Sequence, residues 1–286
     1  MYIFKHNTLE DTTMISKFIT YIQDIKGYSP NTAIAYRKDL KQFVQFIKHN
    51  YPVARWSTIT RDMIDHYIMT LVAYGELATT TNRKLAAISS IYGYFIRQGL
   101  TNENPCRYES RRKIAEQVPN TIAPEQLRTA YDHAVGSVRV MLGLLITTGM
   151  RIGELLSLTW ADVDVIGQTV TLHGKGSKER KVTVPSEQLS EIAAVIDRQT
   201  PSEHIFHTSQ FETRCMIYQA LLPYCVAKQL SPHAIRHTFA TELAKSGANA
   251  TTIQKQLGHA KLETTQKYID IAQVTTNGTC RIIKLH

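Results

Sequence analysis

Apolar residues in the first third of the chain recur three and four positions apart, in blocks separated by turn signals. They nowhere alternate persuasively with polar ones, so this region is expected to be all-helical. Ser29-Pro30 supplies a cap and a first-turn proline, after which Ile34, Leu40, Phe43, Val44 and Ile47 fall at near-helical spacing. A second helical block follows Thr60. A third begins near Thr79, where Thr80, Thr81, Asn82, Arg83 and Lys84 make a polar, basic start ahead of an apolar stripe of Leu85, Ile88, Ile91, Tyr92 and Phe95. That basic start reads either as a phosphate contact or as a solvated helix surface.

Between Asn102 and Pro124 the periodicity breaks at Asn104-Pro105, at the basic cluster Arg111-Arg112-Lys113 and at Pro119. The expected organisation is a helical domain over residues 1–109, a linker over 110–120 and a second domain over 121–286. The second domain opens with helices and then turns to strands. Thr169 to His173 and Lys181 to Val184 alternate β-branched and polar residues around Gly174-Lys175-Gly176-Ser177-Lys178-Glu179, which predicts a β-hairpin with a basic, glycine-rich tip. Three helices follow between Ser231 and Ala272, divided at Gly247 and Gly258. The fold class is therefore mainly α with a small antiparallel β-sheet: an all-helical first domain and a mixed α+β second one. Beyond it Thr275 to Thr279 interrupts the pattern, and Arg281 to Leu285 reads as a strand.

Charge changes this picture. Lysine and arginine number 33 against 24 acids, a formal charge of +9, which favours a polyanionic partner such as nucleic acid. Basic residues outnumber acids by 16 to 10 up to about residue 117 and by 17 to 14 beyond it, so both halves share the excess. The longest apolar stretch, Val140 to Ile146, is far short of the roughly 20 residues a membrane span needs, and the N-terminus lacks a secretory signal pattern. A cytoplasmic location without membrane attachment is expected. Cys106, Cys215, Cys225 and Cys280 lack paired spacing and read as reduced thiols.

Several residues of the second domain carry candidate chemistry. Arg151, in Thr-Gly-Met-Arg-Ile-Gly-Glu-Leu, sits where one apolar helix stops and another starts; its planar fork suits a phosphate, while Glu154, three residues on, is the alternative partner. Lys175 at the hairpin tip is either a solvated turn residue or a proton donor, and Lys178 competes for that role. Ser231-Pro232 opens a helix that puts His233 and Arg236 one turn apart at a partly positive N-terminus. His233 and His237 also stand four apart, as zinc ligands can, but Ala234 fills the place where a metalloprotease needs Glu. His259 follows the helix-ending Gly258 and reads equally as a core or capping histidine. Tyr268, nine residues on, is one of 14 tyrosines and draws its interest from its neighbours.

Together these side chains suit attack on a phosphodiester, whose transition state gathers negative charge on the non-bridging oxygens. Fixed donors facing such charge in a water-excluded site contribute roughly 3 kcal/mol each. A tyrosine hydroxyl, with a reference pKa of about 10, needs cationic neighbours or a base to attack, and a sugar oxygen needs a proton to leave.

Four blocks in order, around Arg151, around Lys175, from Leu230 to Thr241 and from Leu257-Gly258-His259 to Tyr268, resemble the tyrosine recombinase (phage-integrase) family, particularly its short two-domain Xer-type members. Tyr-Ser-Pro-Asn-Thr and Tyr-Arg-Lys-Asp-Leu in the first domain resemble the family's SAM-like core-binding domain. The resemblance implies a C-shaped clamp around double-stranded DNA. It implies that Tyr268 forms a 3′-phosphotyrosyl link, that Arg151, His233, Arg236 and His259 hold the phosphate, and that Lys175 protonates the departing 5′ hydroxyl. It implies no cofactor and no metal, a homo- or hetero-tetramer on two duplexes, room for an accessory DNA translocase or directionality partner, and a nucleoid-associated place in the cytoplasm. The core-binding pattern begins near Met14, so an additional arm-binding domain is not expected. A relaxing type IB topoisomerase, a catalytically silent DNA-binding protein and a metal-dependent nuclease are the competing readings.

Overall fold

The computed structural model of the protein describes residues 12–106, 112–114, 119–174, 179–195, 200–226, 230–258 and 263–275. The chain divides into two compact units, Met1–Glu116 and Gln117–His286. Among the described residues no helix is long and apolar enough to cross a membrane.

In the first unit α1 (Thr12–Thr20) runs on into a π-helical turn (Tyr21–Ile25) and is followed by α2 (Pro30–Asn50), α3 (Arg61–Ala73) and α4 (Ala78–Arg97). The Ser29 hydroxyl accepts a hydrogen bond from the Thr32 amide at 3.3 Å, and Pro30 takes the first turn of α2, where a missing N–H leaves no bond unmade. The buried face of α2 is Ala33, Leu40, Phe43, Val44 and Ile47. Ile34, expected in this stripe, is instead 65% exposed. Seven residues make nearly two helical turns, so Ala33 lines up with Leu40 and Ile34 is rotated by about 100° from it. In α4 the apolar stripe from Leu85 to Phe95 is buried at every position the spacing predicts. Its Phe95 ring stands edge-on to Trp56 at 5.2 Å, and the Tyr92 hydroxyl donates to the Trp56 carbonyl at 2.8 Å.

The polar start of α4 is largely engaged within its own unit. Lys84 is buried and donates to Glu76 at 2.9 Å, and Arg83 pairs with the buried Asp39. Asn82 exchanges hydrogen bonds of 2.9 and 2.8 Å with the backbone of Arg112, whose guanidinium in turn donates to the Glu76 carbonyl at 3.0 Å. Of the two readings the sequence offered for this segment, neither covers Lys84, which serves the interior.

The second unit contains α5 (Pro124–His133), α6 (Gly136–Thr148), α7 (Ile152–Ser157), β1 (Val163–Asp164), β2 (Thr169–His173), β3 (Glu179–Thr183), α8 (Ser186–Val195), α9 (Gln210–Leu221), α10 (Pro232–Lys245), α11 (Ala250–Leu257) and α12 (Glu263–Thr275). The helix α6 is apolar all round and buried from Val140 to Ile146, as befits a central helix; α5, α8, α9 and α10 pack against it. The strands form an antiparallel sheet in the order β1-β2-β3, with Val170 opposite Val182 and His173 opposite Glu179. Val170, Leu172 and Val182 point into the core while their neighbours face outward. The sheet thus extends β3 back to Glu179, two residues before the expected start. Glu179 reads as hairpin tip and Arg180 falls between tip and expected strand, yet the backbone of both continues the ladder. Residues 175–178 of the hairpin tip and the terminal segment after Thr275 lie outside the described residues.

Gly149 ends α6 in the left-handed region (φ 62°), and its amide donates to the Leu145 carbonyl at 3.1 Å. A methyl group there would overlap the Phe239 ring and come within 3.1 Å of Leu257. Gly149→Ala is therefore expected to lower stability by ~2–4 kcal/mol, combining the left-handed penalty with overpacking. Urea unfolding monitored by circular dichroism checks this; an unchanged midpoint would contradict the packing described.

Candidate active site

The left-handed turn at Gly149 lets α6 stop and α7 start within three residues, and Arg151 falls in the gap. Glu154 reaches back to accept from the Arg151 amide at 2.8 Å and from its Nη1 at 2.8 Å. The alternative pairing that the sequence offered for Arg151 is thus present. The other half of the fork, Nη2, donates to the Gly258 carbonyl at 3.1 Å, and the side chain remains 42% exposed.

Glu154 is itself buried and receives a second guanidinium. Arg180 of β3 donates to both carboxylate oxygens, at 2.9 and 2.8 Å, and its Nε donates to the Gln256 carbonyl at 2.9 Å. Burial alone would raise the Glu154 pKa; the hydrogen bonds from Arg180 and the Arg151 backbone, together with both positive charges, overcome this and hold it at about 2. Gly258, left-handed at φ 64°, lies so close that an added methyl would come within 2.9 Å of Arg180 Nη1.

At the start of α10 the Ser231 hydroxyl accepts from the Ala234 amide at 3.1 Å, as the Ser-Pro signature predicts. His233 is exposed, whereas Arg236, one turn on, is buried. The Arg236 fork donates to the Gly149 and Leu257 carbonyls, each at 2.6 Å. Burial and the neighbouring Arg151 lower its pKa to about 9, which still leaves it charged at neutral pH. Although His233 is open to solvent on one side, partial desolvation by the surrounding protein and the charges of Arg236 and Arg151 push its imidazole towards the neutral form. Arg151, His233 and Arg236 line one cleft of about 1780 Å³, together with Glu154, Arg180 and Gly258.

Tyr268 lies on α12, which packs on α10, and is only 3% exposed. It belongs to a small apolar cluster of its own with Ala240, Ile253 and Leu257. Its hydroxyl meets His237 Nδ1 at 2.6 Å. Burial raises the phenol pKa, while the Arg236 and Arg151 charges act in the opposite direction. His237 in turn stands edge-on to His233, with ring centroids 4.3 Å apart.

Four of the six candidate residues are thus brought together: Arg151, His233 and Arg236 around the cleft and Tyr268 beside them, with both arginine charges acting on its phenol. Lys175 and His259 lie outside the described residues. Sequence reasoning missed Arg180, a charged side chain at a strand position facing Leu172 across the ladder, where only the tertiary contact with Glu154 reveals its use. Spacing allowed His237 as a zinc partner of His233, a pairing set aside for want of Glu at position 234, and the fold turns its ring nitrogen to a tyrosine.

The phage integrase family model matches residues 120–274, and the model for the phage integrase N-terminal SAM-like domain matches residues 15–99. The chain belongs to the phage integrase family. It is 29% identical over 278 residues to the tyrosine recombinase XerD of Halalkalibacterium halodurans, covering 91% of this chain and 93% of the relative. It is 28% identical over 286 residues to the tyrosine recombinase XerC of Listeria monocytogenes, covering 93% and 95%. The fold is shared with the XerH site-specific recombinase bound to a palindromic difH substrate in a post-cleavage complex (TM-score 0.72, 17% identity, 91% of this chain and 82% of that one). It is shared also with a lambda integrase dimer bound to a COC′ core site (TM-score 0.70, 16% identity, 94% and 79%).

Because Glu154 is charged and paired in the folded state, its contribution to stability is present above about pH 4.5 and is lost as pH falls through its folded value of about 2. Glu154→Ala leaves Arg180 without its carboxylate and should cost ~3–5 kcal/mol at pH 7. Urea titrations of both proteins are expected to show that difference shrinking as the pH is taken from 5 towards 2. A difference independent of pH would show that the carboxylate charge is not what the variant removes.

Proposed function

We propose that this protein is a site-specific DNA recombinase in which the Tyr268 hydroxyl attacks a scissile phosphate, forming a 3′-phosphotyrosyl bond and releasing a 5′ hydroxyl. The observation that carries the reading is the convergence of Arg151, Arg236 and His233 on one cleft, with Tyr268 held beside them through His237. The relatives that bear the name tyrosine recombinase, matched over nine-tenths of the chain, support it.

In this reading the two guanidiniums neutralise the non-bridging phosphate oxygens. They are held in place beforehand, Arg236 by two backbone carbonyls and Arg151 by Glu154, so they need no reorganisation as the transition state forms. His233 and His259 donate further hydrogen bonds to the phosphate, and Lys175 supplies the proton to the departing 5′ oxygen; the order of the motifs supports these three roles. The phosphotyrosyl link conserves the energy of the broken bond, so a 5′ hydroxyl of a second duplex can reverse the step on a new strand. Residues 1–109 would contact DNA, residues 110–120 would link them to the catalytic residues 121–286, and four protomers would act on two duplexes. The basic excess in both halves favours double-stranded DNA as the partner.

The test uses nicked duplexes that trap the covalent complex, drawn from sequences flanking the gene and from chromosomal dimer-resolution sites, resolved on denaturing gels. Wild type is expected to form a covalent band, and Tyr268→Phe to bind DNA without forming one. Arg151→Ala or Arg236→Ala should slow band formation on the order of 10²–10³-fold. Covalent capture by Tyr268→Phe would refute the nucleophile, and undiminished rates in an arginine variant would refute that residue's role.

A further inference from the structure

Resting on the reading of Tyr268 as nucleophile, we propose that His237 is the proton acceptor that activates it. The Tyr268 hydroxyl oxygen and His237 Nδ1 lie 2.6 Å apart, within hydrogen-bond range, and with the ring proton on Nε2 the Nδ1 lone pair accepts from the phenol; Tyr268 is buried and His237 partly so. Water is therefore poorly placed to take the phenolic proton, while the imidazole nitrogen is already in line for it.

The groups that face His237 explain how it can serve. From α12 it meets Tyr268, and from its own helix His233, at 4.3 Å between ring centroids, and the charge of Arg236. Burial, His233 and Arg236 lower its pKa to about 4, so at neutral pH the ring is unprotonated and free to accept. The same surroundings make it a weak base until DNA arrives. A phosphate seated between Arg151 and Arg236 offsets the positive charge around the ring and raises its proton affinity, so activation of the tyrosine is tied to occupation of the cleft.

As Tyr268 Oη bonds to phosphorus, its proton passes to His237 Nδ1, and the ring becomes imidazolium. The bond from phosphorus to the 5′ oxygen breaks, and that oxygen takes a proton from the acid on the other side of the phosphate. Religation runs the same transfers backwards, with His237 returning its proton to the tyrosine.

Single-turnover covalent capture on nicked duplexes separates this role from mere positioning. His237→Ala removes the acceptor. His237→Asn sets an amide oxygen near the place of Nδ1, so it can receive the hydrogen bond but cannot take the proton. Both variants are expected to bind DNA as wild type does and to form the covalent band at least about 10²-fold more slowly. The defect should persist on a substrate whose 5′ bridging oxygen is replaced by sulfur, because a thiolate leaves without an acid and the impaired step is on the nucleophile's side. Asn at a rate within threefold of wild type would overturn proton acceptance in favour of positioning. Rescue by the sulfur substrate would place His237 on the leaving-group side and overturn it as well. A wild-type band that vanishes in Tyr268→Phe alongside an unimpaired His237→Ala would sink this proposal and leave the parent reading standing. No band from wild type on any duplex would bring down both.

Discussion

Three arginines from three separate parts of the second unit converge on the end of one short helix. The last carbonyls of α11, which have no partner within the helix, accept from Arg180 at Gln256, from Arg236 at Leu257 and from Arg151 at Gly258. The negative end of a helix favours cations, and here it gathers them from a strand, a helix and a helix cap. Like charges packed this closely would repel, so Glu154 is buried among them and binds two of the three. Arg236, the one it does not touch, is held by the Gly149 carbonyl instead. The cleft's positive field is thus a property of backbone geometry as much as of composition, because the turn at Gly149 and the end of α11 must both be in place for the guanidiniums to share one wall.

That arrangement explains why the local signals were legible and their assembly was not. Ser231-Pro232 announces α10, Gly149 announces the end of α6, and the spacing of Leu85 to Phe95 announces the buried face of α4. Each follows from rules that act within a few residues of chain. Arg151 was visible as a helix-start arginine, and its pairing with Glu154 as an i to i+3 contact. The contacts that make the site join residues about 20 to 100 positions apart, as Arg236 does with Leu257 and Gly149, and no periodicity encodes them.

The errors have the same origin. Ile34 was placed in the core because it is apolar and near the right phase, whereas the helix presents its small neighbour Ala33 to the interior. The start of β3 was placed two residues late because Glu179 and Arg180 look like exposed turn residues, yet Arg180 serves a buried carboxylate. Lys84 was read among surface charges, yet it is buried against Glu76. In all three cases tertiary surroundings override a residue's ordinary preference, and two of the three involve a long cationic side chain whose apolar stem is at home in an interior once its charge is paired.

The way apolar residues are apportioned within the second unit has a further consequence. The helix α10 contributes Ala234 and Ile235 to the main core and Ala240 to the small cluster around Tyr268. The guanidinium-bearing end of α10 is therefore anchored in the larger body, while its other end shares a modest apolar contact with α11 and α12. Opening that contact exposes little apolar surface, so amide hydrogens of α12 should exchange with solvent through excursions of far lower free energy than those that release α6. Tyr268 thus rides on the smaller apolar cluster, while the Arg236 end of α10 is rooted in the larger core.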